Sequence, residues 1–284
     1  MEIERCELTE RHRIEYEALG YHLLRDAIEA DELRQLREGF DRAEVGGGLK
    51  DLPNRDDRFT RLVEHPGFFP EVQRILGDDV QLRSYRGTWF SAEGGRRGWR
   101  REVGGMLGVD HPECTLCVRV WIQLDDEDGG GIAVVPGSHR FRTETPFPSI
   151  RRIEEMPHCT TLSAGAGSVI IVNDNIWQAR IPGETSRRMI ELTYTHCWMR
   201  QALPELSPHA RQVVASSYNL NLLFGDPEDR GGSGHWGFDR ELEGLPRSGG
   251  LPERLFTPQT NVGKVGEAAR QVPVTERRPV GSGL

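Results

Sequence analysis

Several groupings of residues in this chain could perform chemistry. His111-Pro112-Glu113-Cys114-Thr115-Leu116-Cys117 contains a Cys-x-x-Cys pair beside a histidine, and His158-Cys159 and His196-Cys197 supply further soft donors. Four such ligands would make a zinc site. A single Cys-x-x-Cys without a second spaced pair is a weak signal, however, and Cys117 runs directly into an apolar strand, where cysteine behaves as a small buried hydrophobe. Asp110 and His111 form a second metal-type pair, yet neighbours on a strand point to opposite faces, so only a loop brings both to one ion. His139, in Pro136-Gly137-Ser138-His139, is a third candidate, read here as a hydrogen-bonded corner residue.

The elements that must position these groups read as follows. Asp31 to Glu44 places Leu33, Leu36, Phe40 and Ala43 on one helical face, with Asp31 able to cap the start. A second helix runs from Pro70 through Val72, Ile75 and Leu76 to Gly77, with proline at its entry and glycine at its exit. Between them, Gly46-Gly47-Gly48 and Asp51 to Arg58 read as loop. From Val80 the period changes: Val80, Leu82, Val118, Val120, Ile122 and Leu124 alternate with other residues as half-buried strands do. Asp125 to Gly131 is a tight turn, and strands follow at Ile132 to Val135, Val169 to Val172 and Met189 to Tyr194. Beyond Pro204 the pattern thins. Gly231-Gly232-Ser233-Gly234 reads as a mobile loop and the stretch from Glu267 to Leu284 as a tail. The expectation is one domain over residues 1–264, with N-terminal helices, and a flexible tail over 265–284.

Composition agrees with a β architecture, since 36% of the 284 residues are hydrophobic while glycine and proline contribute 33 and 17. The formal charge of -8 opposes a nucleic-acid partner, which needs a basic surface. No run of about 18 apolar residues is present to span a membrane, and the acidic start contains no signal-peptide core. A cytoplasmic protein is expected, and its five cysteines, an odd number, are expected to be reduced thiols.

Val120-Trp121-Ile122-Gln123-Leu124-Asp125-Asp126, followed by Gly130-Gly131-Ile132-Ala133-Val134-Val135-Pro136-Gly137-Ser138-His139-Arg140, is similar to the central signature of the phytanoyl-CoA dioxygenase family of Fe(II)/2-oxoglutarate dioxygenases. With two flanking segments, the resemblance covers residues 15–200. It implies a mainly β fold with flanking helices, a double-stranded β-helix of the jelly-roll, cupin-like type. Gly98-Trp99-Arg100-Arg101-Glu102-Val103 resembles the segment where the family carries Trp-His-x-Asp, which places Arg100 at the iron-binding histidine and Glu102 at the aspartate. The run from Ala166 to Gln178 aligns without a gap to the segment ending in the second iron-binding histidine, which places Gln178 there. The resemblance assigns the arginine that clamps 2-oxoglutarate to Arg187, with Arg188 as the adjacent alternative.

A facial triad holds iron through two neutral imidazoles and one carboxylate. A guanidinium has no lone pair to offer and stays protonated, so Arg100 repels a dication. The resulting expectation is a small-molecule enzyme with a lost iron triad, metal-independent and redox-neutral (a cyclase, isomerase or lyase). Its catalytic candidates are Arg100, Glu102 and Gln178. Its anionic ligand is bound through Arg187 or Arg188, and Trp99 and Trp177 line the pocket. No cofactor is expected. Two alternatives stay open: a non-catalytic ligand-binding pseudoenzyme, and a dioxygenase using Fe(II) and 2-oxoglutarate through shifted ligands such as Asp110 and His111.

Overall fold

The computed structural model describes residues 10–45, 49–78, 80–90, 97–101, 115–126, 128–141, 150, 152–197, 199 and 201–225. These belong to the first of two compact units, Met1–Ser248; the second, Gly249–Leu284, lies outside the described residues, as do the expected boundary at 264/265, the tail and the Gly231–Gly234 loop. No helix among the described residues is long and apolar enough to cross a membrane.

Among the described residues nine strands form two sheets. A five-stranded sheet has the order β1-β7-β4-β9-β2, where β1 is Tyr21–Leu24, β2 Val80–Phe90, β4 Cys117–Gln123, β7 Val169–Asn173 and β9 Arg187–His196. A four-stranded sheet has the order β3-β8-β5-β6, from β3 Arg97–Arg100, β5 Gly131–Val134, β6 Thr160–Leu162 and β8 Gln178–Ile181. Every recorded pairing is antiparallel. Strands β2 to β9 pass between the sheets as a double-stranded β-helix requires, and β1 adds an edge strand beside β7.

Strand periodicity divides β4 between two environments. Val118, Val120 and Ile122 join the outer core, where the large sheet packs on helices α2 (Ala30–Val45) and α4 (Phe69–Leu76) through Leu36, Phe40 and Val72. Trp121 faces inward, with Phe90, Ile132, Val134, Ile170, Val172 and Met189, into the space between the sheets. The predicted helices stand within a residue or two of expectation. Other elements departed from it: α1 (Glu10–Leu19), β1, β3, α5 (Pro208–Val214) and α6 (Tyr218–Phe224) carry too short or too weak a pattern to read. The stretch read as loop over 51–58 contains a 3-10 turn at Leu52–Asn54 and the start of α3 (Asp57–Leu62), which the Asp56 side chain caps at the Arg58 amide.

The Pro-Gly-Ser-His corner fastens the entry of β8. The Ser138 hydroxyl accepts from the Trp177 amide at 2.9 Å, the Val135 amide donates to the Trp177 carbonyl at 3.0 Å, and Asn175 Nδ2 donates to the His139 carbonyl at 3.0 Å. The His139 ring packs on Gly20, whose φ is +82° and where a Cβ would lie 2.4 Å from Nδ1. Glycine alone meets both demands. Buried and lowered in pKa chiefly by desolvation, His139 serves as architecture for the strand that follows.

Candidate functional site

β3 and β8 bring Arg100 and Gln178 together: the two are Cα partners in the antiparallel register, and Gln178 also pairs with Val134 of β5. Directly opposed residues share a face, so both stand on the same side of the small sheet. That side is the interior. Ala179 and Ile181, of opposite parity, lie in the outer cluster with Ala133 and Ile153, whereas Arg180, of the same parity as Gln178, reaches across to the large sheet. Gln178 is 2% exposed, and its Nε2 has no hydrogen-bond partner. A buried amide donor left unpaired costs about 1–3 kcal/mol, and such groups mark places where an acceptor is missing.

The inner wall of the large sheet is charged. Glu191 of β9, 3% exposed, accepts from Arg86 of β2 at 2.8 and 2.9 Å and from Arg180 of β8 at 2.6 Å. It also lies 3.1 Å from Arg119 Nη1 and accepts from Trp121 Nε1 at 3.3 Å. Arg119 in turn pairs with buried Asp174 at 2.9 Å. The Arg180 to Glu191 contact therefore spans the interior from one sheet to the other. Burial pushes the Glu191 carboxyl up, but the positive charges of Arg119, Arg86 and Arg180 outweigh it and hold the pKa at about 2 instead of the ordinary 4.5. These cations hold Glu191 as an anion.

Arg187 and Arg188 part company at the start of β9. Arg187, 3% exposed, lies with its guanidinium carbon 5.1 Å from the centre of the Phe90 ring; Arg180 approaches the same ring at 5.6 Å. Gly130 lets Arg187 close in, since a Cβ there would stand 2.6 Å from its Nη2. Arg188 faces the helices instead, bonded to Asp125 at 2.7 and 2.9 Å and to Asp41 of α2 at 2.8 Å. The alternative of Arg188 as an anion clamp thus meets a side chain already held by two carboxylates outside the barrel.

Trp99 and Trp177 require a correction. Expected to line the pocket, they pack on the outer face of the small sheet, with Val135, Met156, Ile150 and Cys159. The reason is parity: each adjoins an inward residue, Arg100 or Gln178, and so points the opposite way. Glu102, Asp110, His111 and Cys114 lie outside the described residues. Cys117 is buried against Thr195 and Met199, and burial raises its thiol to about 11. Among the described residues no group of three or more His, Cys, Asp or Glu could hold a metal ion.

Sequence reasoning passed over Glu191, Arg180, Arg119 and Asp174. A trace of them was visible, because Arg119 and Glu191 each interrupt an apolar strand and share inward parity with Trp121 and Met189. Their meeting depends on cross-strand register, which pairs Trp121 and Arg86 with Glu191.

No family model and no curated protein matches this chain. Solved structures do. HygX from Streptomyces hygroscopicus, with nickel and 2-oxoglutarate bound, is 14% identical, with a TM-score of 0.58 over 68% of this chain and 89% of that one. SnoN, described as a non-heme α-ketoglutarate-dependent epimerase from nogalamycin biosynthesis, is 17% identical, with a TM-score of 0.55 over 66% and 83% of the two chains. These likenesses, with the strand order above, establish the fold: a double-stranded β-helix of the jelly-roll type that 2-oxoglutarate-dependent enzymes use.

Proposed function

We propose that this chain is a metal-independent, redox-neutral enzyme (an isomerase, cyclase or lyase) that works on a small organic anion between the two sheets. The observation that carries the reading is the Arg100–Gln178 register pair, which sits at the two positions that the family resemblance gives to iron-binding histidines. As a donor set the pair does not fit Fe(II): one member is a cation without a lone pair, and the other offers a single weak amide oxygen. Epimerisation occurs on this scaffold in SnoN, there in an α-ketoglutarate-dependent enzyme.

In this reading Arg187 seats the ligand's carboxylate, as a fork-shaped donor buried against Phe90 does well. Arg100 and Gln178 face the far end of the ligand, where their N–H groups stabilise negative charge that develops on an oxygen during reaction. Glu102, two residues from Arg100 in the sequence, is the proposed acid or base. Glu191 is engaged by Arg86, Arg119 and Arg180 and is not assigned that role.

The test combines anaerobic titration with Fe(II) and 2-oxoglutarate with restoration of the triad. The wild type is expected to take up no stoichiometric iron and to release no succinate, whereas Arg100→His, Glu102→Asp and Gln178→His made together should gain iron binding. Stoichiometric iron and 2-oxoglutarate-dependent succinate release by the wild type would overturn the proposal.

A further inference from the structure

Taking as given the reading above, that Arg187 seats an organic carboxylate, we infer that Asp128 is an autoinhibitory residue: its own carboxylate faces Arg187 in the ligand's place and latches this end of the barrel over the guanidinium until an incoming anion displaces it.

Strand pairing sets up the latch. The chain leaves the large sheet after β4 and enters the small sheet at β5, and it makes the return crossing between β8 and β9. Gly131 is the register partner of Ile181, and Gln123 that of Met189, so the two crossings lie side by side at one end of the barrel. They interlock there. The Glu184 amide donates to the Asp128 carbonyl at 3.3 Å, and the Thr185 amide donates to Asp128 Oδ2 at 2.5 Å. A Cβ on Gly183 would collide with Asp128 Oδ1, and one on Gly130 would collide with the Gly183 nitrogen and with Arg187 Nη2. Glycine at both positions is what lets the crossings approach so closely.

Arg187, the first residue of β9, lies beneath this interlock and is 3% exposed. Asp128 Oδ1 stands 3.9 Å from its Nε, an ion-pair distance but too long for a hydrogen bond. That oxygen is buried and accepts no hydrogen bond, although a carboxylate oxygen has room for two. Asp128 nevertheless stays an anion: the Thr185 amide, with the Arg187 charge behind it, holds its pKa below the usual carboxylate range. One oxygen of the carboxylate thus fastens the crossing, while the other presents its charge to Arg187 without a bond. Such a contact is readily exchanged, because a ligand carboxylate in a forked pair with Arg187 gains two charge-assisted bonds where Asp128 Oδ1 makes none. The Asp128 side chain is 25% exposed and has solvent to swing into.

Two variants separate the charge from the fastening: Asp128→Asn keeps an oxygen for the Thr185 amide and removes the charge, whereas Asp128→Ala removes both. Phenylglyoxal labelling with peptide mass spectrometry reads access to Arg187 with no ligand present, and Arg188, held by Asp125 and Asp41, is the internal reference. Asp128→Ala should raise the labelling rate of Arg187 relative to Arg188 by about fivefold or more, since loss of a local latch raises the open population. Calorimetric titration at pH 7 with 2-oxopentanoate, a monocarboxylate, should show Asp128→Asn binding roughly five- to tenfold more tightly than the wild type, the scale of one screened charge contact at about 4 Å. An unchanged rate ratio in folded Asp128→Ala, or equal or weaker binding by folded Asp128→Asn, overturns the inference. Should the variants not fold, hydrogen exchange of the wild type decides. Saturating 2-oxopentanoate should speed exchange at the Thr185 amide, which displacement of Asp128 sets free; unchanged or slower exchange there overturns the inference. Binding of the probe by neither the wild type nor Asp128→Asn, or binding that survives Arg187→Ala, sinks the anion-binding reading itself and the displacement with it.

Discussion

Replacing Glu191 by glutamine should destabilise the protein by an amount that depends on pH. The folded carboxyl titrates at about 2 and an unfolded one near 4.5. The lowered pKa means that ionisation stabilises the folded state fully above 4.5 and that this contribution is lost as pH falls toward 2. At neutral pH the difference amounts to about 3 kcal/mol, and by pH 3 about half of it remains. The size agrees with the roughly 3–5 kcal/mol cost of stranding a buried ionic partner, here Arg119 and Arg180. Urea unfolding of the wild type and Glu191→Gln at pH 7, 5, 4 and 3 measures it. The gap should be nearly constant from pH 7 to 5 and should close by about half at pH 3. A gap under about 1 kcal/mol at pH 7, or one that does not shrink in acid, would mean that the arginines are neutralised elsewhere and that Glu191 does not organise the interior.

Arg188→Ala should cost about 1–2 kcal/mol in urea unfolding, through loss of its bonds to Asp125 and Asp41, and leave organic-anion binding intact, while Arg187→Ala abolishes that binding. The reverse pattern would reassign the two faces of β9. Gly20→Ala should lower stability by at least about 2 kcal/mol, because the alanine must adopt positive φ and push its Cβ into the His139 ring; a melting temperature near that of the wild type would refute the corner's role. Trp177→Phe removes part of the outer cluster but no hydrogen bond of the indole N–H, so a stability loss of about 1–2 kcal/mol with unchanged anion affinity is expected. A tenfold weaker affinity would place the ring inside the barrel.

Much of the scaffold was legible in the residues themselves. The apolar stripe Leu33, Leu36, Phe40 and Ala43 specified a packing helix, the alternation in β4 specified a strand, and the apolar stretches Val169–Val172 and Met189–Tyr194 specified two more. These signals are local, since helical and strand periods are written within a dozen residues. The resemblance around Val120 to Arg140 pointed to the jelly roll, and the Pro-Gly-Ser-His motif occupies the corner that holds β8. Short elements were not legible: β1, β3 and α6 span too few residues to show a period, and partners distant in sequence stabilise them.

The sequence alone determined which side chains were available at the candidate site, above all that Arg100 and Gln178 are not imidazoles. Only the tertiary structure decided which of them share a space. Parity along β9 sends Arg187 inward to Phe90 and Arg188 outward to Asp125, and parity along β8 turns Trp177 away from the interior that Gln178 faces. Glu191 shows the limit most clearly: its partners lie 105, 72 and 11 residues away, on three different strands. A charge in an apolar strand is visible in one dimension, but the identity of its counter-ions depends on cross-strand register and on the packing of one sheet over the other, neither of which is encoded in any local window.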